Sequence, residues 1–96
     1  MKQTVLEDIK EKATPILRQA DVKKAAIFGS YARGDNNEDS DIDILVDLPR
    51  GKTLIDVVGL KYDLEDILKR KVDVVEYDGL KPRIKDTILK QQIPIL

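Results

Sequence analysis

Asp39-Ser40-Asp41-Ile42-Asp43-Ile44-Leu45-Val46 alternates polar and apolar side chains from Asp41 onward. That is the period of a β-strand with one buried face, so Asp41 and Asp43 point one way while Ile42, Ile44 and Val46 point into a core. Two carboxylates at neighbouring same-face positions repel each other. Leading a strand with them is unfavourable unless a cation neutralises the pair. The Asp39, Asp41, Asp43 spacing also resembles the start of a calcium loop, but that loop needs Gly after its third acid and this chain has Ile44. An acidic strand end exposed to solvent is the plain alternative.

Outward from this strand the apolar pattern alternates between two periods. Upstream, Val22 to Phe28 ends in Ala25-Ala26-Ile27-Phe28 and stops at Gly29, as a buried strand does. Asp35 to Ser40 reads as a loop. From Thr4 to Gln19, Val5, Leu6, Ile9, Ala13, Ile16 and Leu17 recur at helical spacing. Pro15 sits inside that run, so the helix either kinks there or restarts with Thr14 as N-cap. Downstream, Leu48-Pro49-Arg50-Gly51 breaks the chain, and Thr53 to Arg70 carries a helical apolar stripe of Leu54, Val57, Val58, Leu60, Leu64, Ile67 and Leu68. Thr53 is positioned as its N-cap, with Asp56 closing a capping box. Lys71 to Tyr77 reads as a third strand, Asp78-Gly79 as a turn and Pro82 to Gln91 as a last helix, followed by the apolar end Ile93-Pro94-Ile95-Leu96.

This order predicts a layered α/β fold with a small mixed three-stranded sheet flanked by helices. The long helix between the second and third strands is a right-handed crossover, which makes those two parallel. The first two are joined by a short link and run antiparallel. At 96 residues the chain is expected to form a single domain, 1–96.

Composition narrows the chemistry. There is no cysteine and no histidine, which excludes disulfides, thiolate or imidazole zinc sites, and histidine-dependent acid–base work. Any metal site must use oxygen ligands, which suit magnesium, manganese or calcium. Lys and Arg number 17 against 18 Asp and Glu, a balance that argues against broad electrostatic capture of nucleic acid. The N-terminus, Met1-Lys2-Gln3-Thr4, opens a polar amphipathic stretch without a signal-peptide apolar region. No apolar run approaches the roughly 18–20 residues of a membrane span. A cytoplasmic location is the expectation.

Two further segments bear on function. Gly29-Ser30-Tyr31-Ala32-Arg33-Gly34 directly follows a buried strand. Glycine there permits a sharp turn and close approach to a ligand. If Ser30 to Arg33 form a helical turn, its free N–H groups make a phosphate cradle, with the Ser30 hydroxyl and Arg33 as added ligands. The segment lacks the Gly-Lys-Ser/Thr ending of a Walker A loop, and an ordinary strand-to-helix turn is the simpler alternative. The other segment is Lys71-Val72-Asp73-Val74-Val75. An acid between valines in mid-strand usually has a partner, either a base such as Lys71 or, if this strand lies beside the second, the same ion held by Asp41 and Asp43. A phosphate-cradling turn, a carboxylate pair and a third carboxylate are the components of two-metal phosphoryl or nucleotidyl transfer.

Together, Gly29-Ser30-Tyr31-Ala32-Arg33-Gly34, Ser40-Asp41-Ile42-Asp43-Ile44 and Asp73 resemble the nucleotidyltransferase superfamily that includes DNA polymerase beta, above all its minimal nucleotidyltransferase (MNT) branch. The resemblance spans nearly the whole chain. It implies that Gly29 and Ser30 grip the triphosphate, with Arg33 as a further phosphate ligand. It also implies that Asp41 and Asp43 bind two Mg2+ ions (Mn2+ is an alternative), and that Asp73 completes the catalytic ion's site and helps deprotonate an attacking hydroxyl. Stand-alone MNT proteins are commonly paired with a HEPN protein, a helical RNase toxin, as its antitoxin, and some transfer AMP from ATP to a toxin tyrosine. By resemblance, such AMP transfer is the leading function, with a hetero-oligomer with the toxin or a homo-oligomer as the assembly. An antitoxin that acts by binding alone and an enzyme modifying a small molecule are the alternatives. The helix Pro82 to Gln91 and the tail at Ile93, Ile95 and Leu96 are expected to dock on the core in preference to forming an interface.

Overall fold

The computed structural model describes residues 4–96; Met1, Lys2 and Gln3, the start of the amphipathic stretch, lie outside the described residues. The elements run α1 (Val5–Gln19), β1 (Lys24–Phe28), α2 (Ser30–Arg33), β2 (Ile42–Asp47), α3 (Leu54–Leu68), β3 (Val72–Glu76), a 3-10 turn (Tyr77–Gly79), α4 (Pro82–Gln91) and β4 (Ile93–Pro94). The α/β alternation and all four helices agree with the sequence pattern, with boundaries displaced by one or two residues.

The sheet has the order β3-β2-β1-β4. β1 and β2 are antiparallel, while β2 and β3 are parallel. Link lengths account for both. Between β1 and β2 there is one helical turn and a loop, whereas α3 supplies the crossover that parallel neighbours need. The expected sheet was one strand short. Ile93 and Pro94 pair antiparallel with Ile27 and Ala26 at the edge. Two residues, one of them proline, carry no alternation to detect, and proline is tolerated only at such an edge. The backbone beyond them is also tied in, since Ile95 N donates to Ala25 O at 2.9 Å and Ala25 N donates to Leu96 O at 3.1 Å.

One face of the sheet carries the core. Ala25, Ile27, Ile42, Ile44, Val46 and Val72 pack there against Ile9, Ala13 and Leu17 of α1 and Leu60 and Leu64 of α3. In α1 the three buried residues repeat every fourth position, one face of a helix. A Thr4–Glu7 capping box starts it. α1 does not restart at Thr14 but continues through Pro15. Pro15 faces solvent, so the missing N–H removes one rung on the hydrated side of the helix. α3 begins with the expected Thr53–Asp56 capping box. The apolar tail is split: Ile95 is buried, whereas no residue of α4 is.

Candidate active site

Asp43 is the second residue of β2, and its register partner across the parallel pair is Asp73. Residues directly opposite on adjacent strands share a face and sit roughly 4.8 Å apart in the hydrogen-bonding direction. Because Ile42, Ile44 and Val72 point into the core, Asp43 and Asp73 stand together on the other face. Asp41 immediately precedes β2 and is exposed; Asp73 is exposed and Asp43 half-buried. The alternative partner for Asp73, an ion pair with Lys71, does not form among the described residues.

The loop before β2 is held by several local bonds. Asn37 N donates to Ser40 Oγ at 2.9 Å and Asp39 N to Asn37 Oδ1 at 2.8 Å. Arg70 Nη1, at the far end of α3, donates to Glu38 O at 3.1 Å. Ile42 N then donates to Lys71 O at 2.9 Å, locking the start of β2 to the approach of β3. Sequence reasoning did not single out Asn37, Ser40 or Arg70 as positioning residues for Asp41. The Asn37/Ser40 turn has a local polar signature, but the Arg70 contact spans 32 positions and has none.

Gly29 links β1 to α2 with φ +72° and ψ −148°, a conformation open essentially to glycine alone. Its Cα also abuts the Asp43 carboxylate: a Cβ at this position would collide with Asp43 Oδ2. The turn and the acid pair are therefore one site, in direct contact. Ser30 to Arg33 form the expected helical turn, closed by Arg33 N to Gly29 O at 3.0 Å and Gly34 N to Ser30 O at 2.9 Å. The first N–H groups of such a turn have no acceptor within it and face the strand end. Arg33 is exposed and its Nε donates to Asp35 Oδ2 at 3.1 Å. The Tyr31 ring is buried in the core, and its hydroxyl finds no hydrogen-bond partner among the described residues.

Electrostatics ties the acids together. Burial pushes the Asp43 carboxyl upward from its ordinary value; the charges of Asp73 and Asp41 push it further, and Arg33 partly offsets them. A half-buried carboxylate crowded by two others is a place where positive charge is favourable. Among the described residues no group of three or more Asp or Glu side chains gathers closely enough to hold an ion by itself. An open, all-oxygen set of this kind suits Mg2+, which is normally bound by one or two carboxylates together with waters and substrate phosphates in place of a closed protein cage. The oxygen chemistry of Asp41, Asp43 and Asp73 therefore fits such an ion, completed by waters and phosphates.

Comparison with known proteins identifies the family and the fold. Residues 4–94 match the family described as "Nucleotidyltransferase domain". A Methanocaldococcus jannaschii protein named "Putative protein adenylyltransferase MJ0435" is 50% identical over 91 residues, covering 95% of this chain and 98% of that one. A solved structure of a "putative minimal nucleotidyltransferase" superposes with a TM-score of 0.82 at 38% identity, covering 93% of this chain and 91% of the other. A crystal structure of a toxin-antitoxin with AMP-PNP superposes with a TM-score of 0.80 at 25% identity, covering 91% of this chain and 72% of that one. With the acids aligned across β2 and β3 beside a glycine turn, and with these relatives, the chain belongs to the nucleotidyltransferase domain family, in its minimal, MNT-type branch.

Proposed function

We propose that this protein transfers AMP from ATP onto a hydroxyl of a partner protein, a tyrosine of a HEPN-type RNase toxin, and thereby silences that toxin. The observation that carries the chemistry is the Asp43–Asp73 register pair with Gly29 packed on the Asp43 carboxylate. It brings phosphate-binding backbone and acidic side chains to the same strand end. In this reading the acceptor oxygen attacks the α-phosphorus, the bond from that phosphorus to the α–β bridging oxygen breaks, and pyrophosphate leaves. Asp73 takes the hydroxyl proton. Gly29, Ser30 and the first N–H groups of α2 hold the β- and γ-phosphates, and Arg33 adds charge if it exchanges Asp35 for phosphate. Asp41 and Asp43, with Asp73, would hold two Mg2+ ions, which supply charge neutralisation at the reacting phosphate.

The choice of AMP is supported by the relative named for adenylyl transfer, and the choice of partner by the solved neighbour that is a toxin-antitoxin with AMP-PNP. The open face around the acids favours a bulky acceptor over a small molecule. No helix among the described residues is long and apolar enough to cross a membrane. A single domain working in the cytoplasm on a cytoplasmic toxin is consistent with that.

The test is to incubate the protein with labelled ATP, magnesium and a co-expressed HEPN partner and to weigh both chains. The reading expects an AMP increment on a toxin tyrosine, and its loss in Asp41→Asn/Asp43→Asn with the complex retained. Full silencing of the toxin by that double variant would instead establish an antitoxin acting by occlusion. Label on a small hydroxylated acceptor alone would establish the small-molecule alternative.

A further inference from the structure

Asp43 and Asp73 are set opposite each other by the register of β2 with β3, but Asp41 precedes β2 and has no place in the ladder. Asp73 follows Val72, the first residue of β3, and β3 is an edge strand. Strand ends at a sheet edge fray easily. Both acids therefore need a restraint outside the ladder if they are to act on one ion. Residues 65–72, which run from the last turn of α3 into β3, supply it.

Two side chains of that link reach the segments that carry the acids. Arg70 Nη1 donates to Glu38 O at 3.1 Å. Glu38 lies in a turn bonded to itself, where Ser40 N donates to Asn37 O at 3.2 Å alongside the Asn37 N to Ser40 Oγ bond. Holding Glu38 thus holds the turn as one piece, and Asp41 is the residue that leaves it. On the other side of Asp41, Ile42 N donates to Lys71 O, next to Arg70. Asp41 is in this way restrained from both sides by adjacent residues. Glu65 acts on the other strand. Because Lys71 O faces β2, the Val72 N–H points away from β2, toward the open edge of the sheet. Val72 is buried, and an unpaired N–H there would be unfavourable. Glu65 Oε2 accepts it at 3.0 Å, one residue before Asp73.

Helix stability by itself favours neither feature. Glu65 is an anion in the last turn of α3, where the helix dipole opposes it and no basic residue offsets it. Lys69 takes the left-handed conformation, φ 57° and ψ 35°, that favours glycine at a helix end. This turn sends Arg70 back toward Glu38. The charges that shift Asp43 are those of Asp73, Asp41 and Arg33, so Glu65 works through its hydrogen bond and not through its charge.

We propose that Glu65 and Arg70 are positioning residues for the ion site, which together set the separation of Asp41 and Asp73 by holding the backbone beside each. The proposal rests on the reading of Asp41, Asp43 and Asp73 as ion ligands. It divides the site in two. The phosphate cradle of Gly29 and Ser30 follows β1, on the far side of β2 from β3, so loosening the acids leaves the cradle intact.

Calorimetry with α,β-methylene ATP, which cannot transfer AMP, tests this in EDTA and again in saturating Mn2+. The ratio of the two affinities reports the ion site, with Asp41→Asn/Asp43→Asn as its baseline. Arg70→Ala and Glu65→Leu are each expected to lower the affinity in Mn2+ about tenfold, the low end of what partners behind a metal ligand contribute. Their affinity in EDTA should stay within about twofold of wild type, a split that general unfolding would not give, and kcat for AMP transfer should fall with the Mn2+ affinity. Glu65→Gln keeps an acceptor oxygen and should restore wild-type values. Wild-type behaviour of Arg70→Ala overturns the inference and leaves the proposed function standing, as does a Glu65→Gln no better than Glu65→Leu. If Glu65→Leu does not fold, the exposed Arg70 decides: Arg70→Lys, which keeps a donor, should recover part of what Arg70→Ala loses, and no recovery counts against the inference. A wild type no more responsive to Mn2+ than the double variant overturns the ion reading itself, and this inference with it.

Discussion

At the residue scale the site is defined by Gly29 and Asp43, which constrain each other. Gly29→Ala has two separate faults: a backbone conformation that only glycine adopts readily, and a Cβ placed on the Asp43 carboxylate. The expected cost is about 1–3 kcal/mol in urea unfolding, together with loss of nucleotidyl transfer; a variant of wild-type stability and activity would disprove the contact. Asp43→Asn should do the reverse to stability. Asp43's folded-state pKa is raised by burial, Asp73 and Asp41, so protonation favours the folded state. The penalty of its charge is absent below the unfolded value of about 3.9 and grows as pH rises through the folded value. At pH 7 without divalent ions, Asp43→Asn should therefore melt a few degrees above the wild type. The gain is small because the side chain is half solvated, and the difference should vanish near the unfolded pKa. An equal or lower melting point at pH 7 would contradict the crowding of these carboxylates. Activity should be lost in the same variant, separating function from stability.

At the element scale, the two long helices owe their starts to the same device. Thr53 N donates to Asp56 Oδ2 at 2.7 Å and Asp56 N donates to Thr53 Oγ1 at 3.4 Å, reproducing at α3 what Thr4 and Glu7 do at α1. The hydrogen bonds from the Thr53 backbone and hydroxyl, chiefly the former, hold the Asp56 carboxyl below its ordinary value. A depressed folded-state value means stability that is complete above the unfolded pKa and lost as pH falls through the folded one. Asp56→Ala should accordingly lower the melting temperature at pH 7, and the two proteins should converge as pH drops below about 3.9 toward the folded value. A gap that persists undiminished into strong acid would assign the effect to something other than the ionised cap. Both capping boxes are visible as residue pairs three apart. The continuity of α1 through Pro15 is not, because it depends on which side of the helix meets water.

At the scale of the whole molecule, the C-terminal tail completes the sheet. Ile95 is 4% exposed and belongs to the same cluster as Leu17, Ile27 and Leu64. Its backbone hydrogen-bonds to Ala25 of β1, the strand that Gly29 follows. Ile95→Ala should cost about 2–4 kcal/mol in urea unfolding, and a loss below 1 kcal/mol would show the tail to be dispensable. α4 contrasts with it, contributing no buried residue although it lies between two docked elements. A single amphipathic helix reads the same in sequence whether its apolar side meets its own core or another molecule.

The sequence alone determined the order of the helices and the first three strands, their parallel and antiparallel pairings, the cap of α3 and the identity of Asp41, Asp43, Asp73, Gly29, Ser30 and Arg33 as candidate ligands. Each of these follows from local periodicity, from link length, or from residue types that are unfavourable where they stand. The tertiary structure decided that Asp43 and Asp73 are exact register partners, that Gly29 touches Asp43, that Arg70 tethers the loop before β2, and that Ile93 and Pro94 form a fourth strand. It also decided which of α3's apolar residues are covered. Those are contacts between segments far apart in the chain, and one-dimensional spacing does not encode which partner, or which face, packing will choose.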